Sequence, residues 1–296
     1  MDPALLSIAN ELLKSQGLRP RKRWGQNFLC NQSVLDRIVR AAALVSSDRT
    51  LEIGAGLGAL TRSLAEYSSF VTSVEIDPLL LPILAKTLEG RENVKIIHAD
   101  FLKLDHNALM DEAFGDEAGV VVANIPYYIT TPLLEVFLTN KARIKRIVLL
   151  VQKEFGQRMV AKPATEEYGA MSVYAQFHSR VAICGSAPSN CFLPRPDVDS
   201  SIISLEPVVG GTVQVEDEAL FFRIVRASFQ QRRKTLSNTL CSPGTGWTRE
   251  EAASVIQGAG IDAIRRGETL SLEEFALLTS IAIDLQRQEK LPVSTK

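Results

Sequence analysis

Residue types that bind metals or carry redox chemistry are scarce in this chain. Three histidines (His98, His106, His178) and four cysteines (Cys30, Cys184, Cys191, Cys241) are all that 296 residues hold. The cysteines make no CxxC pair, which argues against a zinc site and a disulfide framework and for reduced thiols in a cytoplasmic protein. No metal is therefore expected. No apolar run approaches the roughly 20 residues of a membrane span. The opening stretch MDPALLSIANELLK has an acid at once and no apolar run before a cleavage site. It reads as a short amphipathic helix rather than a signal or transit peptide. An excess of one charge is also lacking: 33 Lys and Arg against 34 Asp and Glu leave a net charge of −1. The chain as a whole is thus no basic binder of polyanions. Such contacts would need local patches, because phosphate attraction fades over a Debye length of about 8–10 Å.

What is present is ordinary globular material, 46% hydrophobic and 23% charged, long enough for about two domains. The charge is uneven: residues 1–25 carry Lys14, Arg19, Arg21, Lys22 and Arg23 against Asp2 and Glu11. Residues 1–30 read as an N-terminal helix followed by a basic, proline-containing linker and the ordered-looking loop WGQNFL. Helical spacing follows over Ser33–Leu44, with Asn31 or Ser33 as its cap. Short apolar runs then alternate with helical ones. The spacing predicts strands at Thr50–Ile53, Phe70–Glu75, Val94–His98, Val120–Ala123 and Ile144–Val151. Helices are expected at Ala59–Tyr67, Leu79–Leu88 and Leu133–Leu138. Two more strands fit Val181–Cys184 and Ser200–Glu206. This alternation implies an α/β fold with a mostly parallel seven-stranded sheet over residues 31–207. From residue 208 to 296 only helical patterns occur, broken by SPGTG, which points to a small all-helical second domain.

In an open parallel sheet, ligands bind beyond the carboxyl ends of the strands. The chemistry-bearing residues fall at those ends. Gly54, Gly56 and Gly58 form GxGxG after the first predicted strand. Glycines let backbone approach a ligand with no Cβ in the way; a plain strand-to-helix turn explains the loop equally well. Glu75 lies 21 residues after Gly54, where dinucleotide folds place an acid for ribose hydroxyls. Alone, it would read as a solvated loop acid. Asp100, beyond the third strand, suits the amine of a bound adenine or the cap of the next turn. Asn124-Ile125-Pro126-Tyr127 follows the fourth strand. An adenine amine is a poor nucleophile because its lone pair is delocalised into the ring. Two acceptors, the Asn124 side-chain oxygen and a main-chain carbonyl such as that of Ile125, would favour its pyramidal form. Pro126 stiffens the turn, and Tyr127 offers a face for a flipped base. An isolated Asn-x-Pro is also a common turn.

Taken together, GQNFL (25–29), LEIGAGLG (51–58), VEIDP (74–78), NIPYYIT (124–130), FLPRPDVDSS (192–201) and FQQRRKTLSN (229–238) resemble the small-subunit ribosomal RNA adenine dimethyltransferase A family. The resemblance spans about residues 18–280 and implies a Rossmann-like class I methyltransferase using S-adenosylmethionine. It further implies that Asn27 and Leu29 contact the cofactor from the N-terminal loop. Gly54 would approach the methionine portion, Glu75 the ribose and Asp100 the adenine, with Gly56 a further cofactor contact. Asn124, Ile125, Pro126 and Tyr127 would handle the target base, Asn124 bordering the cofactor as well. The implied reaction is dimethylation of two adjacent adenosines in a hairpin loop near the 3′ end of 16S rRNA, in the assembling small subunit.

No general base is evident, and the proton can leave after transfer. RNA contacts are expected at Arg21, Lys22 and Arg23 and at Arg232, Arg233 and Lys234, with KARIKR (141–146) a further basic run; a short charge run is more often a solvated face. A monomer is expected. The alternatives are a 23S rRNA adenine methylase and a non-catalytic assembly or RNA-binding factor.

Overall fold

The structure, a computed structural model, describes residues 2–21, 25–126 and 129–288. In chain order its strands are β1 (Phe28–Leu29), β2 (Arg49–Ile53), β3 (Phe70–Glu75), β4 (Val94–His98), β5 (Gly119–Asn124), β6 (Ile144–Gln152), β7 (Ser179–Ala187), β8 (Phe192–Leu193) and β9 (Ser200–Pro207). The α-helices are α1 (Pro3–Ser15), α2 (Gln32–Ala42), α3 (Ala59–Leu64), α4 (Leu81–Thr87), α5 (His106–Phe114), α6 (Thr130–Thr139), α7 (Lys153–Val160), α8 (Ala170–His178), α9 (Glu218–Gln230), α10 (Leu236–Thr239), α11 (Arg249–Gly258) and α12 (Leu272–Arg287).

Seven strands make one sheet in the order β4-β3-β2-β5-β6-β9-β7. The pairs β4–β3, β3–β2, β2–β5 and β5–β6 are parallel, whereas β9 runs antiparallel to β6. The central strands read as near-continuous apolar runs, Val120–Ala123 and Ile147–Val151, all of them buried. This is the pattern of strands covered on both faces. The chain steps outward from β2 through β3 to β4, then returns to β5 on the other side of β2. That reversal opens a crevice at the carboxyl ends of β2 and β5.

Local chemistry sets the helix starts. The Asn31 side chain accepts the Val34 N–H at 3.1 Å, fixing the start of α2. Val34, Leu35, Ile38, Val39 and Ala42 then form the buried stripe of α2. A cap of this kind contributes about 1 kcal/mol. Of the two caps open in the sequence, Asn31 is the one used. The first turn after β3 is 3₁₀ (Pro78–Leu80), with Pro78 in its opening position, and α4 follows. α5 and α7 have no counterpart in the sequence reading. α5 starts on Asp105, whose side chain accepts the N–H groups of Asn107 and Ala108.

A second, two-stranded sheet pairs β1 with β8 antiparallel, Phe28 opposite Leu193 and Leu29 opposite Phe192. Cys30 N–H continues it onto the Cys191 carbonyl at 2.7 Å. α1 packs beside this strap, with Ala9 and Leu13 in one cluster with Phe28, Leu57, Leu80 and Ile83.

The chain forms two compact units, one of residues 1–156 and 181–207, the other of 157–180 and 208–296. The sequence pattern sets 1–30 apart and divides the rest at 207; the structure keeps the break at 207 but puts 1–30 in the first unit and moves 157–180 into the second. The N-terminal residues join the first unit through the β1–β8 strap and the α1 cluster. Residues 157–180 join the second because Tyr168, Val173 and Phe177 are buried among Phe221, Val225, Phe275 and Leu278. Tyr168 is fully buried and donates its hydroxyl to the Leu270 carbonyl at 2.9 Å. Capping boxes open α11 (Thr248 with Glu251) and α12 (Ser271 with Glu274), each satisfying two otherwise orphaned N–H groups.

Candidate functional site

β2 ends at Ile53, and the backbone turns at once through Gly54 at φ +85°, whose N–H donates to the Val74 carbonyl at 2.8 Å. A Cβ on Gly54 would lie 3.3 Å from the Asn124 carbonyl oxygen. The glycine loop and the tip of β5 therefore meet across the crevice, and only a glycine leaves that approach open. Gly56, at φ +56°, faces the Phe28 ring: a Cβ there would lie 3.3 Å from Phe28 Cδ1. The N-terminal strap thus closes over the loop. One pocket is lined by Asn27, Phe28, Leu29, Gly54, Gly56, Glu75, Ile76, Asn124, Ile125, Pro126 and Phe192.

Glu75, 4% exposed at the tip of β3, accepts Gly56 N–H on Oε2 and Asp77 N–H on Oε1, each at 2.8 Å. Burial pushes its carboxyl above the ordinary carboxylate range, against the pull of those two donors. Each oxygen keeps a second lone-pair direction for a ligand hydroxyl. Asn124 is half-buried at the end of β5, and the Pro126 carbonyl accepts Ile129 N–H at 3.2 Å.

The structure therefore gathers Asn27, Leu29, Gly54, Gly56, Glu75, Asn124, Ile125 and Pro126 around one cavity. Asp100 is not among its lining residues. One Asp100 oxygen accepts Leu102 N–H at 3.2 Å, capping the turn Phe101–Lys103, and the other lies 3.4 Å from Lys103 Nζ. Tyr127, Lys22 and Arg23 lie outside the described residues. Arg21 reaches Asp77, with Nη1 on Oδ1 at 3.3 Å. Arg232 braces its own unit: Nη2 donates to the carbonyls of Glu166 (2.7 Å) and Tyr168 (2.8 Å), and Nε lies 3.4 Å from Glu268. Arg233 and Lys234 are exposed. Phe28 and Phe192 were missed from the sequence because a two-residue strand pair has no periodicity to read. Asp77, which completes the turn after β3, did leave a signal: an Asp directly before a proline that opens a helical turn.

Among the described residues no cluster of three or more His, Cys, Asp or Glu could hold a metal, and no helix is long and apolar enough to cross a membrane.

Fold and crevice together define a class I methyltransferase. The chain belongs to the ribosomal RNA adenine dimethylase family, whose model matches residues 17–277. A relative named ribosomal RNA small subunit methyltransferase A from Moorella thermoacetica is 46% identical over 273 residues, 90% of this chain and 94% of its own. Its namesake in Geobacillus thermodenitrificans is 42% identical over 289 residues, 97% of this chain and 99% of its own. Among solved structures, a dimethyladenosine transferase from Plasmodium falciparum superposes with a TM-score of 0.75 at 24% identity, over 88% of this chain and 98% of that one. The 23S rRNA methyltransferase ErmE gives a TM-score of 0.67 at 25% identity, over 87% and 100%.

Proposed function

We propose that the protein uses S-adenosylmethionine to dimethylate the N6 amines of two adjacent adenosines in the 3′-terminal hairpin loop of 16S rRNA, acting on the small subunit as it assembles. The observation that carries this reading is the meeting of Gly54 with the Asn124 carbonyl, 3.3 Å from where a Cβ would be. It puts a backbone cradle for a ligand directly beside the Asn-Ile-Pro turn. The cradle fits the cofactor: a Cβ at either Gly54 or Gly56 would crowd it, and the Glu75 carboxylate is positioned for vicinal hydroxyls. When bound there, the cofactor supplies an electrophilic methyl group on sulfur.

The residues of the chain then do the positioning. Gly54 and Gly56 admit the ligand backbone-close, Glu75 orients it through the ribose, and Phe28, Leu29 and Phe192 exclude water from one side. Asn124 holds the target amine by one hydrogen while a carbonyl of the turn holds the other, directing the nitrogen lone pair along the transfer line. Alignment of this kind can supply about 7–11 kcal/mol of a barrier. Tyr127 would stack the extruded base, and unpaired loop adenines are the RNA sites where a base is easily extruded.

Reverse-transcription and mass-spectrometric mapping of 16S and 23S rRNA, from cells with and without the protein, tests the reading. Dimethyladenosine lost from the 16S hairpin supports it. Loss from 23S rRNA would favour the activity named for ErmE, and no loss from either would leave a non-catalytic binder.

The RNA surface divides within one short sequence. Replacing Arg233 and Lys234 with Gln is expected to weaken small-subunit RNA binding and to make the slope of log affinity against log salt shallower by about 1 per contact. Arg232→Gln is expected instead to lower the melting temperature, because it frees two carbonyls now held at 2.7 and 2.8 Å. Filter binding over a salt series and thermal melts separate the two outcomes.

A further inference from the structure

Asp77 has no place in the pocket lining, yet its carboxylate is almost wholly buried, with a side-chain exposure of 2%. A buried carboxylate must be matched by donors. One of its donors is local, Leu79 N–H at 3.1 Å. The other two come from the N-terminal segment more than 50 positions earlier: Gln26 Nε2 on Oδ2 at 2.7 Å and Arg21 Nη1 on Oδ1 at 3.3 Å. The Gln26 amide oxygen in turn accepts the Arg21 N–H at 2.8 Å. Asp77 also donates its own N–H to Glu75, which accepts from Gly56 as well.

A continuous chain of hydrogen bonds thus runs from Arg21 through Gln26, Asp77 and Glu75 to the glycine loop. The strap over the pocket has two fastenings. At one end β1 pairs with β8; at the other Gln26 closes on Asp77. Asn27 and Leu29, which line the pocket, lie next to or between them.

We infer that Asp77 is a positioning residue, the fixed half of a latch that, through Gln26 and Arg21, holds the Gly25–Leu29 segment across the bound cofactor. Closure satisfies the Asp77 carboxylate with Gln26 and Arg21; opening exposes it to water, which replaces those donors. The latch is therefore reversible and sets how fast the cofactor leaves rather than whether the pocket forms. The inference rests on the cofactor reading of the pocket.

The test follows dissociation of S-adenosylhomocysteine from the full chain by stopped flow, in the wild type and in Gln26→Glu, Asp77→Asn, the double exchange, and Gln26→Ala. Gln26→Glu sets two carboxylates face to face, and Asp77→Asn sets two amide donors face to face. The double exchange restores a donor–acceptor pair with its polarity reversed. Each single variant is expected to release the ligand about tenfold faster, as for loss of one hydrogen bond to a charged group. The double exchange is expected to return to within about threefold of wild type, a coupling that a merely destabilising change would not produce. Gln26→Ala, at a half-buried loop position, keeps the test open if Asp77→Asn folds poorly. Unchanged release in the single variants, or no recovery in the double, overturns the latch. A wild type that binds no ligand at all would instead overturn the pocket reading.

Discussion

Asn124→Ala is expected to lower the single-turnover rate of methyl transfer by about 10²–10³-fold, the loss typical of removing one preorganised polar contact to a reacting group. Cofactor affinity should change by no more than about tenfold. The asymmetry follows from where the residue stands. Its backbone belongs to β5, in register with Leu150 of β6, and its carbonyl faces Gly54. Alanine keeps both features, so the cradle survives. What alanine removes is the side-chain oxygen that would hold an amine hydrogen as the nitrogen becomes tetrahedral. An interaction made chiefly in the transition state appears in the rate at saturation and hardly in binding. Rapid-quench transfer of labelled methyl to unmethylated small subunits, beside equilibrium binding of S-adenosylhomocysteine, measures the two quantities separately. A mutant with a wild-type rate would take Asn124 out of the chemistry. A mutant that loses binding and rate equally would make it a cofactor contact only.

The sheet was legible because its strands are short apolar runs bounded by turn residues. Phe70–Glu75 and Val94–His98 match the structure end for end, and the others differ by a few residues at most. The glycine loop, Glu75 and Asn124 were legible because an open parallel sheet sends every strand tip to the same edge. What escaped is tertiary in origin. The β1–β8 pair joins positions more than 150 residues apart over two residues each, too few for any alternation to register. The second unit recruits residues 157–180 through Tyr168 and Phe177, whose burial depends on α9 and α12 far downstream. Arg232, Arg233 and Lys234 form one basic run in the sequence and all three are exposed, yet the fold ties the Arg232 guanidinium to the carbonyls of Glu166 and Tyr168. Local charge does not disclose which cation of a run finds a carbonyl.

The same sheet holds a carboxylate that the reaction does not use, and it should make stability fall as pH rises. Glu52 on β2 is fully buried, two residues before Gly54. Its Oε2 accepts hydroxyls from Thr61 and Ser73, both at 2.6 Å, tying α3 and β3 to β2 beneath the glycine loop. Its Oε1 is buried with no hydrogen-bond partner among the described residues. Burial pushes this carboxyl from 4.5 up to about 7, outweighing the two hydroxyl donors, with the Glu75 charge adding to the rise. An acid whose pKa rises on folding holds its proton more tightly in the native state. The native chain therefore carries the extra proton between the unfolded and folded values, and unfolding releases it. Stability from this group is complete below about pH 4.5, declines through the window up to about 7, and is lost above it. The gap corresponds to about 3 kcal/mol. Glu75, raised by the same cause, adds in the same direction. Glu52→Gln keeps the shape and an acceptor oxygen for Thr61 and Ser73 but cannot ionise. Urea unfolding of both proteins from pH 4.5 to 8 should show the variant gaining about 3 kcal/mol on the wild type across the window, whatever offset separates them at the acidic end. Parallel pH profiles for the two proteins would mean that folding does not shift the Glu52 pKa.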